Sequence, residues 1–457
     1  YEKLFFNRFR EEDNQIHTTI KPIDTQKEEA ILKDNNLVSI KGTNEYVTNL
    51  NEVTPTNRIL TSLFSHKRFL KLLKYGFAYV ERTDKNGIKS LQKHVMRYPQ
   101  FFATLAIEQK LDSGIKHGII WHTQGSGKTA LAYHNVHYLR DYYQRQGKIA
   151  EFYFIVDRLD LLTQASEEFA ARGLHVEKVN SKEDFIKNIR TIGTANNTGE
   201  DTITVVNIQK FSTESIVRRA DYDVNVQRIY FLDEAHRSYN PKGSFLANLM
   251  ASDRDAVMIA LTGTPLIGEG YNSKDVFGEY IHKYYYNRSI ADGYTLKLIR
   301  EGIKTEYRTK IQSVLDELET QKGSFKKKDV YAHPKYVSAL VEYIVDDFKH
   351  SRIALGDSSI GGMIVCDSSD QARMVKQELK NYTDVSHALI LHDVDDKETR
   401  RGYQDDFKKG KIDLLVVYNM LLTGFDAPRL KKQYLGRVIK QHNLLQTLTR
   451  VNRPYKS

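Results

Sequence analysis

Two stretches of this chain alternate short apolar runs with amphipathic helical segments. That rhythm demands a parallel sheet covered by helices. In the first stretch, from about residue 90, strands are expected over 117–121, 151–156, 202–206, 228–232 and 256–261. Helical periodicity over 128–145 and 159–171 lies between them. The second stretch begins near residue 333. It reads as helix 333–349, strand 362–366, helix 371–381, strand 387–391, helix 397–408, strand 412–418, a strand near 433–435 and a helix over 443–451. The fold class expected is therefore α/β with two parallel-sheet domains in tandem. Residues 1–85 form a mixed N-terminal α+β region with an apolar helical pattern over 56–75. The first α/β domain takes 86–270, a connector with some structure of its own takes 271–332, and the second domain takes 333–457. A length of 457 residues suits such a division.

Composition narrows the classes. Hydrophobic residues at 40% and charged residues at 28% suit a soluble globular chain. No apolar run reaches the roughly 18 residues of a membrane span, so no membrane partner is expected. The one cysteine, Cys366, excludes an internal disulfide framework and a cysteine-built zinc site, and fits a reducing cytoplasm. Lys and Arg outnumber Asp and Glu 68 to 58, a net charge of +10 that is compatible with a polyanion. The chain starts at Tyr1 rather than Met, and is read as a piece of a longer polypeptide.

The chemistry starts at His122-Thr123-Gln124-Gly125-Ser126-Gly127-Lys128-Thr129, between an apolar strand and an Ala/Leu-rich helix. Gly125 and Gly127 let backbone N–H groups turn around phosphate oxygens, with Ser126 between them. The helix N-terminus adds partial positive charge. Lys128 can reach the β- and γ-phosphates, and Thr129 can place its hydroxyl on Mg²⁺. The first position, ordinarily glycine in this pattern, is His122. A second strand delivers Asp233 and Glu234 at its C-terminal tip. Alone, such a pair reads as a loop or helix cap. Downstream of a phosphate loop, Asp233 becomes a Mg²⁺ ligand and Glu234 the group that polarises an attacking water. Thr262-Gly263-Thr264-Pro265 ends another strand and can hydrogen-bond both phosphate-side carboxylates and nucleic acid.

In this order the motifs resemble superfamily-2 helicases and translocases of the Asp-Glu-Ala-His type. Leu422-Thr423-Gly424-Phe425-Asp426-Ala427-Pro428, then Gln446, Arg450 and Arg453, extend the likeness. More narrowly, Trp121–Thr129, Ile155-Val156-Asp157-Arg158 with the following Leu159–Gln164, Val206–Phe211 and Leu232–Ser238 look like the restriction (R) subunit of type I restriction–modification enzymes.

The resemblance implies two RecA-like motor domains, ATP and Mg²⁺ as cofactors, and double-stranded DNA as the track. It implies methyltransferase and specificity subunits as partners, and a cytoplasmic setting. Arg97-Tyr98-Pro99-Gln100 resembles the adenine-reading element, with Gln100 on the base. Arg450 and Arg453, spaced to share one helix face, would stabilise transition-state charge. Arg158, Gln209, Lys210, Thr262, Thr264, Thr423, Asp426 and Gln446 would contact DNA or couple it to the nucleotide. The family's metal-dependent nuclease needs an Asp and then Glu-x-Lys on a strand. Glu108-Gln-Lys110 and Glu378-Leu-Lys380 fall in expected helices, so no nuclease residues are assigned. The other reading the motifs leave open is a generic superfamily-2 DNA helicase acting in repair.

Overall fold

The computed structural model describes residues 10–12, 24–50, 62–83, 87–157, 159–179, 181, 184–185, 201–207, 225–234, 249, 253–265, 272–322, 330–421, 425–439, 444 and 447–455. The chain divides into two compact units, Tyr1–Tyr285 and Tyr286–Ser457.

In the first unit, helix α1 (His66–Tyr75) leads into an antiparallel hairpin of β1 (Phe77–Thr83) and β2 (Lys89–Val95). Ala78 and Val80 are buried on one face of β1, and Tyr79 is exposed on the other. The polar alternation of β2 hid this hairpin from a search for apolar runs. Helix α2 (Tyr98–Asp112) follows, opened by Pro99 in its first turn. Then come β3 (His117–His122), α3 (Lys128–Gln144), β4 (Ile149–Val156), α4 (Leu159–Ala170), β5 (His175–Val179), β6 (Thr202–Asn207), β7 (Val226–Asp233), β8 (Val257–Thr262) and β9 (Tyr280–Tyr284).

Strands β3 to β9 form one seven-stranded sheet in the order β5-β6-β4-β7-β8-β3-β9, parallel throughout. Strand alternation sends Ile120, Phe154, Phe231 and Ile259 to one core, and Ile119, Tyr153, Tyr230 and Met258 to the other. Both faces are thus covered, which is why β7 and β8 are almost continuously buried. The two strands not anticipated, β5 and β9, lie at the sheet's edges. One neighbour and partial exposure let them carry polar residues, such as His175, Glu177 and Lys178 in β5. Strand β9 comes from the stretch read as a connector with structure of its own.

The second unit contains α5 (Pro334–Ala354), β10 (Gly361–Val365), α6 (Ser369–Leu379), β11 (His387–Ile390), α7 (Lys397–Lys409), β12 (Leu414–Val417) and β13 (Leu430–Leu435). Its four strands run parallel in the order β11-β12-β10-β13. Phe348, Ile364, Leu389 and Val416 pack one face, and Met363, Phe407, Leu415 and Val417 the other. Ser368 and Asp396 cap α6 and α7 by accepting from Gln371 N and Thr399 N. Glu108 and Lys110 lie in α2, and Glu378 lies in α6, as the helical reading of those segments required. Both units have the α/β architecture of RecA-like domains. Among the described residues, no helix is long and apolar enough to cross a membrane.

Candidate nucleotide site

Register aligns the chemistry at one edge of the large sheet. Trp121 of β3 pairs with Thr262 of β8, and Leu261 of β8 pairs with Asp233 of β7. The ends of all three strands therefore meet at the carboxyl edge, where α/β sheets bind ligands.

Between β3 and α3 the chain turns through Thr123–Gly127. Gly125 and Gly127 take left-handed φ values of 81° and 84°. Only glycine adopts these without strain. A Cβ on Gly127 would also fall 2.5 Å from Gln100 Nε2. The turn is closed by Ser126 N donating to Thr123 O at 3.2 Å. Gly127 caps α3, and its carbonyl accepts from Leu131 N at 2.9 Å. The first N–H groups of α3 have no intrahelical acceptor and carry the positive end of the helix dipole. The Thr123 and Ser126 hydroxyls and His122 Nδ1 are buried and have no hydrogen-bond partner among the described residues. A ring of unsatisfied polar atoms around a left-handed loop fits a polyphosphate.

The loop is braced from α2. Gln100 Nε2 donates to the Ser126 and Gly127 carbonyls at 3.3 and 2.9 Å, while its Oε1 accepts from Arg97 N at 2.8 Å. Arg97 Nη1 donates to the Gly125 carbonyl at 3.1 Å. Three consecutive loop carbonyls are thus held by the element that the sequence reading assigned to adenine. In this arrangement Gln100 holds the loop. Contact with a base requires its amide to exchange a partner.

Asp233 ends β7, and Glu234 follows in the left-handed region at φ 50°, an uncommon conformation for a side-chain-bearing residue. Burial, followed by Glu234 and Asp157, raises the Asp233 carboxyl to about 7, and Lys128 opposes the rise. A divalent cation would relieve that repulsion. The Asp233 carboxylate and the Thr129 hydroxyl are hard oxygen donors suited to Mg²⁺. Thr262 Oγ1 accepts from Thr264 N at 3.1 Å, and Trp121 Nε1 donates to Gly263 O at 3.1 Å. A Cβ on Gly263 would lie 3.2 Å from Gln124 N, so this turn packs directly on the phosphate loop.

In the second unit Arg450 is buried, and its Nη1 donates to Phe425 O at 3.0 Å. Arg453 pairs with Asp426, and Lys431 donates to the Arg453 carbonyl. The two arginines do not share a helix face. Thr447 and Leu448 are helical, Thr449 and Arg450 form a turn, and Arg453 sits in a bend. Pro454 explains this, because a residue before proline is driven out of the helical region. Arg158, Gln209, Lys210, Thr423 and Gln446 lie outside the described residues. Arg97 as a brace, and His282 and Glu12 near the loop, were not apparent from the sequence. The last two are distant in sequence from the loop they approach, and no local pattern announces them.

Residues 99–330 match the family model described as SWI2/SNF2 ATPase. The chain belongs to this family. Residues 359–457 match a second model, type I restriction enzyme subunit R domain 3, so an SNF2-type ATPase domain is followed by a domain of the type I R-subunit kind. It is 26% identical to the type I restriction enzyme SauCOLORF180P endonuclease subunit of Staphylococcus aureus, over 79% of this chain and 42% of that protein. It is 27% identical to the SsaAORF53P endonuclease subunit of Staphylococcus saprophyticus, over 79% and 43%. The chain therefore spans less than half the length of these relatives. Among solved structures, the ATP-dependent Type ISP restriction–modification enzyme LlaBIII bound to DNA shares the fold. The TM-score is 0.57 at 12% identity, over 82% of this chain and 28% of that one.

Proposed function

We propose that this chain is the ATP-driven double-stranded DNA translocase part of a cytoplasmic type I restriction enzyme R subunit. One observation carries the reading: the left-handed Gly125/Gly127 loop at the start of α3, with the buried Thr123 and Ser126 hydroxyls around it lacking a partner among the described residues. Gly125, Ser126, Gly127 and Lys128 bind the phosphates. Thr129 and Asp233 would hold Mg²⁺, which would supply neutralisation of phosphate charge. Glu234 orients and polarises the attacking water. Arg450 and Arg453 counter charge on the transferred phosphoryl group, a role worth about 10³–10⁵ in rate where arginines perform it. Gln100 links the base-reading element to the loop.

Thr262, Thr264, Thr423, Asp426 and Gln446 couple nucleotide state to movement on DNA. Arg158, Gln209 and Lys210 contact the DNA backbone, where contacts position without reading sequence. Its partners in this reading are methyltransferase and specificity subunits, and the relatives' names, as endonuclease subunits, support cleavage by a nuclease region not assigned to any residue of this chain.

The test is DNA-stimulated ATP hydrolysis by the intact subunit. Stimulation is expected in the wild type. Lys128→Ala should abolish it while leaving DNA binding and the circular dichroism spectrum unchanged. Displacement of a triplex-forming third strand without duplex unwinding separates the translocase from a generic repair helicase. An intact subunit whose hydrolysis ignores DNA overturns the reading.

A further inference from the structure

Three residues from three distant parts of the sequence form a hydrogen-bonded chain ending at the phosphate loop. Glu12 Oε2 lies 2.5 Å from His282 Nε2, and His282 Nδ1 lies 2.7 Å from His122 Nε2. The side chains of Glu12 and His282 are 12% and 9% exposed, and His122 is fully buried. His122 ends β3 at the loop position where the pattern ordinarily has glycine. His282 lies on the neighbouring strand β9, in register with Ile120. Glu12 belongs to a short segment fixed beside it by Glu11, which pairs with Arg68 and accepts from Ser62.

Elementary hydrogen-bond chemistry constrains the protons. An ionised carboxylate only accepts, so His282 carries hydrogen on Nε2. If His282 is neutral, its Nδ1 accepts, His122 must donate from Nε2, and His122 Nδ1 presents a lone pair. If His282 is doubly protonated, His122 accepts at Nε2 and carries hydrogen on Nδ1. His122 is neutral in both arrangements, because burial first, then His282 and Lys128, push it well below the usual histidine range. The groups facing its ring are His282 and the Tyr284 ring from β9 and Lys128 from the loop, with Glu12 behind His282. Its Nδ1, buried and unpartnered among the described residues, is therefore a donor or an acceptor according to the state of the Glu12–His282 pair.

We propose that Glu12 and His282 are positioning residues that fix the tautomer and ring orientation of His122, and so set how tightly the phosphate loop closes on a nucleotide's phosphates. This rests on the phosphate-loop reading above. It brings a residue of the N-terminal segment, outside every motif, into the nucleotide site. The same logic operates where a carboxylate orients a histidine that does its work through the other ring nitrogen.

The test uses the full chain, a fluorescent methylanthraniloyl-ATP and ¹⁵N-histidine spectra. Glu12→Gln should weaken nucleotide binding by about five- to tenfold, the net scale of one hydrogen bond. It should also redistribute the His122 nitrogen shifts, and Glu12→Asp should restore part of both. In a His122→Gly background, Glu12→Gln should have no further effect on binding. Should Glu12→Gln prove poorly folded by circular dichroism, His282→Gln carries the same expectations. Unchanged affinity and unchanged His122 shifts overturn the proposal. So does an equal loss in both backgrounds, which would make Glu12 a purely structural anchor. A wild type that does not bind the ATP analogue, yet shows His122 shifts that respond to Glu12→Gln, overturns the phosphate-loop reading instead.

Discussion

Gln100 Nε2 lies 2.9 Å from the carbonyl of Gly127, the residue that opens the phosphate-loop helix. The amide is nearly fully buried, so its hydrogen bonds are made with the protein and not with water. Removing it takes one of two donors from the Gly127 carbonyl, which keeps its bond from Leu131 N, and takes the Gln100 bonds from the Ser126 carbonyl and the Arg97 N–H, at about 1–3 kcal/mol. Gln100→Ala should therefore lower stability by that amount in denaturant titration. It should also weaken binding of inorganic tripolyphosphate about as much as ATP. A residue that only read the base would leave tripolyphosphate binding intact.

Asp233 gives the pH dependence of metal binding. Burial and the neighbouring Glu234 raise its carboxyl to about 7, and Mg²⁺ binds only the deprotonated form. Apparent Mg²⁺ affinity should fall as pH drops below 7, by about tenfold between pH 8 and pH 6. Calorimetric titration of Mg²⁺ in the presence of a non-hydrolysable ATP analogue would read this. Asp233→Asn should remove both the tight binding and its pH dependence.

His134, buried in α3, has its Nδ1 2.8 Å from the Tyr75 carbonyl, an acceptor for Nδ1–H of the neutral ring. Burial lowers its pKa from the usual histidine value near 6.5 to about 4. A depressed histidine stabilises the fold fully above its unfolded pKa. That stability drains as pH falls from about 6.5 to 4, because the unfolded chain takes up the proton first. The loss is about 3 kcal/mol by pH 4. His134→Gln keeps a donor for Tyr75 but cannot titrate. Its midpoint in urea should decline less steeply over this pH range than that of the wild type.

How much of this was legible in the sequence depended on whether the signal was local. Asp233 and Thr262 end strands and Lys128 opens the helix after one, so a linear reading placed all three at the sheet's carboxyl edge. Strand β2 is exposed on both faces over Lys89–Lys93 and the edge strand β9 is only partly buried, so both carry polar residues and no apolar run marks them. His282 meets Glu12 and His122 only through tertiary packing, so nothing near it in the chain points to the loop. The helical reading of Arg450 and Arg453 failed on a local cue that was present, Pro454.

Arg453 is paired with Asp426, the acidic residue of the preceding motif, at a partly exposed position. Exposed pairs contribute only about 0–1 kcal/mol, so Asp426→Ala should barely move the unfolding midpoint. Its effect should appear in turnover. If Arg453 serves the transition state, Arg453→Ala should lower kcat by about 10³-fold or more. Arg453→Lys should recover little, because an ammonium lacks the planar fork that matches phosphate. Asp426→Ala should change kcat in the Arg453 background but not in the Arg453→Ala background, since its partner is then gone. Equal effects in both backgrounds would assign Asp426 a role separate from this arginine, a comparison that steady-state hydrolysis of the four proteins makes directly.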